Sequence, residues 1–152
     1  IMTIKTITTL FEDHQILWST LFSSFDYGHE DYYSQRQSIV YREVYSVTPE
    51  YSEQQDQYII YKWVLIFSDK SYEGLENQLE IKSNLDTAVL IYMNDFKRFI
   101  DDENIQIDVT NPTYLHYQQA GLDSVYNIRA EFNILVPLAL CASVSNFQPV
   151  CS

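Results

Sequence analysis

The chain has 152 residues, a length that predicts one domain with a substantial hydrophobic core. Hydrophobic residues make up 46% of it and aromatic residues 15%, a composition that excludes a disordered chain. Nine basic and twenty-one acidic residues give a formal charge of −12, which disfavours binding to DNA, RNA or an anionic membrane. With only three glycines, the chain is also a poor candidate for a phosphate-cradling nucleotide loop.

The first strong pattern covers about Thr6–Phe25, where apolar residues recur at intervals of three and four and predict a helix. His14 lies on the apolar side of this helix without a second ligand at i+3 or i+4, so a core position is favoured over metal binding. The next segment, Phe25–Gln37, is polar and aromatic and predicts a loop. Within it, residues 29–31 are interpreted as solvated rather than metal-binding.

Two strands are predicted next. Ser38–Val47 alternates between its two faces, as a strand half-buried in a sheet does. The acidic, glutamine-rich Thr48–Gln57 is longer than a tight hairpin needs, which indicates a projecting loop. Tyr58–Phe67 is nearly continuous in β-branched and aromatic residues and predicts a central strand.

The stretch Ser83–Ile100 predicts one long amphipathic helix, because its apolar residues line one side at helical spacing. Residues from Ser68 to about Gly74 are predicted as a loop. The spacing also lets the helix begin near Leu75, with a bend near Ser83. Three acidic residues would then lie close together on its outer side: Glu73, Glu76 and Glu80.

Three further strands are predicted over Ile105–Val109, Thr113–Gln118 and Ser124–Val136. The element order is therefore α-β-β-α-β-β-β. It predicts an α+β fold with two helices on one face of a twisted, mainly antiparallel sheet of about five strands. Residues 1–152 form a single domain in this interpretation, and residues 137–152 form a C-terminal arm.

Motifs of catalysis, nucleotide binding and metal binding are absent from the sequence, so we expect no catalytic, cofactor-binding or metal site and no enzyme activity. Cys141 and Cys151 could close only a short loop near the C-terminus, and their pairing stays open. The longest apolar run, Ile134–Ala142, is too short to span a bilayer, so no membrane partner is expected. A reduced, cytoplasmic setting is the default expectation.

From about residue 6 to residue 137, the layout resembles the tail-terminator or tail-completion proteins of tailed bacteriophages. The resemblance is carried by the acidic helix start before Leu85 and by a D-x-V-x-N-x-R strand over Asp123–Arg129. Proteins of this group form rings at the head–tail joint of the virion. The resemblance implies an α+β subunit of a hexameric or dodecameric ring without catalysis.

The same resemblance implies that the ring contacts portal, connector or tail proteins and lets DNA pass without sequence-specific binding. The protein would reside in the virion, and in the host cytoplasm during assembly. Glu73, Glu76 and Glu80 are the candidate channel-lining residues, with the 50–56 loop as the alternative lining. The candidate subunit-interface residues are Glu50, Tyr51, Glu53, Asp56, Tyr72, Tyr126 and Phe147.

Two other functions stay open. The first is a ligand-binding α+β domain of the NTF2-like kind, with an aromatic pocket between helices and sheet lined by Tyr58, Tyr61, Trp63 and Tyr126. The second is a small enzyme of the same architecture, with His116 or Asp108 as its base.

Overall fold

A computed structural model describes residues 2–70, 78–118 and 125–138 of the chain. Within these ranges the fold is α+β, with three helices and one mixed sheet of seven strands. In chain order the elements are α1 Ile4–Leu17, β1 Ser24–Gly28, α2 Glu30–Gln35, β2 Glu43–Val47, β3 Ser52–Gln55, β4 Tyr58–Lys70, α3 Gln78–Asp102, β5 Asp108–Val109, β6 Thr113–Gln118 and β7 Val125–Pro137.

The centre of the sheet is the antiparallel pair of β4 and β7, which bond along their whole length. On the free side of β4, β2 and β3 pair with successive parts of the strand. On the free side of β7, β6 and β5 do the same, and β1 lies parallel to β2. Seven strands thus fill five positions across the sheet. The predicted strand count was low because two of these positions are each divided between two short strands.

Helices α1 and α3 pack on one face of the sheet and enclose the main core. The rings of Phe11 on α1 and Phe96 on α3 stack with centroids 4.4 Å apart. Phe11 also meets Trp63 of β4 at 5.6 Å, which ties both helices to the centre of the sheet. The helix predicted over Ser83–Ile100 is confirmed within α3. Strand β7 buries its alternate residues in the core: Tyr126, Ile128, Ala130, Phe132, Ile134 and Val136.

A third helix, α2, covers part of the opposite face, where Tyr33 packs with Tyr45, Val47 and Ile66. The loop predicted over Phe25–Gln37 is therefore wrong, because β1 and α2 both form within it. Their polar residues misled the sequence interpretation, since several of them are paired inside the protein rather than solvated.

Helix α1 begins after Thr3, whose hydroxyl accepts a hydrogen bond from the Thr6 amide at 3.1 Å. It ends at Leu17 rather than near Phe25, since the chain folds back and Gln15 Nε2 donates to the Phe22 carbonyl at 2.7 Å.

Other strand boundaries also differ from the predictions. The strand predicted from Ser38 begins only at Glu43, and the one predicted over Ile105–Val109 is reduced to β5. The loop predicted over Thr48–Gln57 contains β3, and β4 runs on to Lys70 through residues predicted as loop. The boundaries of β6 are as predicted, and those of β7 differ by one residue at each end.

Candidate functional site

The predicted channel-lining residues lie at or before the start of α3. Glu80 is exposed in the first turn of the helix, whereas Glu73 and Glu76 lie outside the described residues. Further along the same exposed surface, Arg98 Nε donates to Asp95 Oδ1 at 2.6 Å. The exposed surface of α3 therefore carries both signs of charge, and its acidic residues include Asp101 and Asp102 at the helix end as well as Glu80 near its start.

Four of the predicted interface residues surround the hairpin of β3 and β4. Glu50, Tyr51, Glu53 and Asp56 are all exposed, and Tyr51 is among the most exposed large side chains of the described chain. Asp56 occupies the hairpin turn with φ of +53°, a left-handed conformation that aspartate tolerates. All four residues of β3 are exposed, so this strand buries no side chain in the subunit.

The remaining interface candidates are placed differently. Tyr126 is only 3% exposed and belongs to the core beneath α3, where Lys82 Nζ lies 4.8 Å from the centre of its ring. It could meet another chain only if the subunit opened. Tyr72 and Phe147 lie outside the described residues.

The aromatic residues of the alternative pocket do not converge. Tyr61 and Trp63 meet edge to face with centroids 6.5 Å apart, and Trp63 is buried against α1. Tyr58 and Tyr126 lie toward opposite ends of the sheet, because Tyr58 is paired with Pro137, at the far end of β7 from Tyr126. Close aromatic packing fills the centre of the space between helices and sheet, and of these four residues only Tyr126 lines the pocket of about 290 Å³ between α3 and the β6–β7 pair.

The two residues weighed as catalytic bases are both exposed. His116 Nε2 lies 3.8 Å from Asp86 Oδ1 on α3, while Asp108 is paired with Leu135 near the other end of β7. His14, by contrast, is fully buried as predicted, with Nε2 3.0 Å from the Tyr92 carbonyl oxygen. Desolvation lowers the pKa of His14, so the ring is neutral at pH 7. Among the described residues, no group of three or more metal-ligating side chains comes together.

A feature that the sequence did not indicate is a groove of about 470 Å³ on the face of the sheet that carries α2. Its floor is formed by β4 and β7, and its walls by the start of α2 and by the β2–β3 and β5–β6 connections. Polar side chains dominate its lining, including Glu30, Tyr51, Lys62, Asn111, Arg129 and Glu131. We refer to it as the sheet groove.

Charges in the sheet groove are largely paired. Arg129 Nε donates to Glu131 Oε1 at 2.8 Å, and Arg129 Nη1 also contacts Glu30. The pKa of Arg129 is raised because these two carboxylates outweigh the effect of its partial burial, which acts to lower it. Arg129 thereby links α2 to β7 across the groove.

Beside the groove, α2 is held by a buried cluster of charges. Arg36 binds Glu43 through two hydrogen bonds of 2.5 and 2.6 Å and Asp26 through one of 3.0 Å. Its guanidinium carbon lies 4.4 Å from the centre of the Tyr45 ring and 4.9 Å from that of Tyr33. Burial raises the pKa of Glu43, while the hydrogen bonds from Arg36 act in the opposite direction. We call this set the arginine cluster.

Free strand edges are a further accessible surface. Among the described strands, β1 pairs with β2 alone, β3 with β4 alone, and β5 and β6 each with β7 alone, so each of these four has one side without a strand partner. The edges of β1 and β6 each expose one large apolar side chain, Tyr27 and Leu115. Strand edges of this kind are available for pairing with another chain.

Comparisons with known proteins leave the chain without an assigned family, since no protein-family model matches it and no curated protein is significantly similar. In the part of the chain that the structure describes, no helix is both long and apolar enough to cross a membrane.

Proposed function

We propose that this chain is a structural subunit of a ring at the head–tail joint of a tailed bacteriophage, of the tail-terminator or tail-completion kind. The observation that carries the proposal is β3. All four side chains of this strand are exposed, so it adds nothing to the core of its own subunit. Its side chains are therefore available for contact with a neighbouring chain.

Placement of the helices is consistent with this proposal. Both long helices lie on one face of the sheet, which leaves the sheet groove and the free edges of β1 and β6 accessible to other chains. In a cyclic assembly each subunit uses two different surfaces, one toward each neighbour. The hairpin of β3 and β4, with Glu50, Tyr51, Glu53 and Asp56, is a candidate for one of them.

The charge of −12 per chain is repeated around such a ring, so acidic residues facing the lumen would repel DNA from the wall and let it slide. Glu80 is the described member of the candidate lining, with Glu73 and Glu76 before it in the chain. Portal, connector or tail proteins are the expected neighbours, with the virion and the host cytoplasm as the locations.

Electron microscopy of the purified chain tests the ring. We expect particles with sixfold or twelvefold symmetry and a central opening, whereas isolated subunits of 17.9 kDa at every concentration would contradict the proposal. Replacing Glu73, Glu76 and Glu80 by lysine tests the lining separately. Unchanged DNA delivery by the corresponding phage would contradict the assignment of these residues to the lumen, but it would not contradict the proposed ring.

A ligand-binding domain is the second candidate, and the sheet groove is the observation that favours it. Its volume of about 470 Å³ suits a small molecule, and its mixture of charged, amide and hydroxyl groups would select a polar ligand. A monomer whose melting temperature rises with such a ligand would support this function over the ring.

A further inference from the structure

Two of these free edges, those of β1 and β6, lie at the same level on opposite sides of the subunit. One continuous row of paired residues crosses the sheet from Asp26 on β1 through Tyr45, Ile66 and Arg129 to Leu115 on β6. The neighbouring rows run likewise from β1 to β6. A second subunit placed beside the first in the same orientation therefore meets it edge to edge.

Strand directions at the two edges are also complementary. β1 is parallel to β2, and β2 and β7 are both antiparallel to the central strand β4. Because β6 is antiparallel to β7, it runs opposite to β1. Subunits repeated side by side would bring β6 of one against β1 of the next as an antiparallel pair, the commoner arrangement of neighbouring strands.

Neither edge carries the devices by which proteins block edge pairing, such as lysine, an internal proline or an inward-pointing unpaired charge. β6 holds no lysine, arginine, aspartate, glutamate or proline over its six residues. In β1 the one charged residue, Asp26, is partly exposed but paired: it accepts hydrogen bonds from Arg36 at 3.0 Å and from the Tyr27 amide of its own strand at 2.8 Å. Tyr27 and Leu115 are each 57% exposed, one on each edge.

We infer that β6 of one copy of this chain pairs with β1 of the next copy, so that the sheet continues from subunit to subunit. This inference rests on the proposed function and specifies the surface through which the ring would close. Since the two edges differ in sequence, the interface is heterologous, the type that generates a ring where the rotation between subunits closes and an open filament where it does not.

Single substitutions on each edge test the inference. Leu115→Glu and Tyr27→Glu each place a negative charge on one edge of an already acidic chain, and each should reduce the ring to monomers by native mass measurement. Ile16→Glu is the matched control, because Ile16 is 58% exposed but lies on α1 rather than on either edge strand. The Ile16→Glu variant should still form the ring.

Mixing the two edge variants gives the sharper result. Leu115→Glu keeps an intact β1 edge and Tyr27→Glu an intact β6 edge, so an equimolar mixture should form one-to-one dimers that do not extend. Circular dichroism of each variant verifies folding. A variant that has lost its native spectrum is replaced by the lysine substitution at the same position.

Rings that persist in both folded edge variants would overturn the edge pairing while leaving the proposed ring function standing. Assembly lost in Leu115→Glu but retained in Tyr27→Glu would also overturn it, because β6 would then pair with another copy of itself. A wild-type chain that never assembles would instead contradict the proposed function.

Discussion

The two faces of the sheet are built on different physical principles. Beneath α1 and α3 the core is almost entirely apolar and aromatic, with Phe11 in contact with both Trp63 and Phe96. On the other face, the six-residue helix α2 is held by charges, and Arg36 lies between Glu43 and the ring of Tyr45. Apolar burial stabilises without regard to direction, whereas the charged cluster depends on geometry and on complete pairing.

The difference teaches which part of the subunit is available to a partner. On the helix face, aromatic packing fills the centre of the core, and a pocket of about 290 Å³ opens at its edge between α3 and the β6–β7 pair. The α2 face is covered only in part, and beside the arginine cluster the sheet groove stays open. Stability therefore resides mainly on one side of the sheet, and the accessible polar surface lies on the other.

The largest effect is expected on the helix face. Phe11→Ala should lower the free energy of unfolding by about 3–5 kcal/mol, because it opens a cavity among Trp63, Phe96 and Phe132. Urea denaturation measures the change. Leu17→Ala, at an exposed position of the same helix, is the control and should stay within about 0.5 kcal/mol. Equal losses in the two variants would contradict the assignment of the main core.

On the α2 face, Arg36→Ala should cost about 3 kcal/mol of stability, because it leaves the Glu43 carboxylate buried without a partner. Chemical denaturation again provides the measurement. The matched control is Arg98→Ala, which removes an arginine from exposed ion pairs on α3 and should change stability much less. If Arg36→Ala proved as mild as Arg98→Ala, the charges would not hold α2 in place.

A smaller effect concerns the one buried histidine of the helix face. His14 has a lowered pKa in the folded chain, so between pH 7 and pH 5.5 the unfolded state binds more protons than the folded state. Stability must then fall as the pH decreases, by at most about 1.4 kcal/mol per pH unit from this group.

Unfolding free energies at pH 7 and pH 5.5 for the wild type and for His14→Phe isolate this contribution. The variant should show the shallower pH dependence of the two. An equal slope in both proteins would mean that His14 titrates normally in the folded state.

The elements that sequence reasoning predicted well are those whose own periodicity determines their burial. Helix α3 and strand β7 are two such elements. The apolar residues of α3 recur at helical spacing and those of β7 occupy alternate positions, so the pattern within each segment indicates which side is buried. β1 and α2 were missed because they bury only Tyr33 and are held by charged residues such as Asp26 and Arg36, whose pairing across the fold is invisible in one dimension. Hydrophobic periodicity predicts that such charged residues face the solvent.

The candidate site was less accessible to sequence reasoning than the fold. Exposed residues of the 50–56 segment were predicted at the surface and lie there, but the sheet groove combines segments far apart in the chain. Tyr27 lies in a segment predicted as a loop and Leu115 looks like an ordinary strand residue. Only the register of the whole sheet shows that they lie on opposite edges, in adjacent rows. Such register depends on pairing between distant segments.

Native mass spectrometry of the wild-type chain tests the central claim most directly. We predict one dominant assembly whose mass is six or twelve times that of the 17.9-kDa chain. This assembly should be stable on dilution, because a closed ring engages both interaction surfaces of every subunit. A mass of a single chain across the concentration range would contradict it.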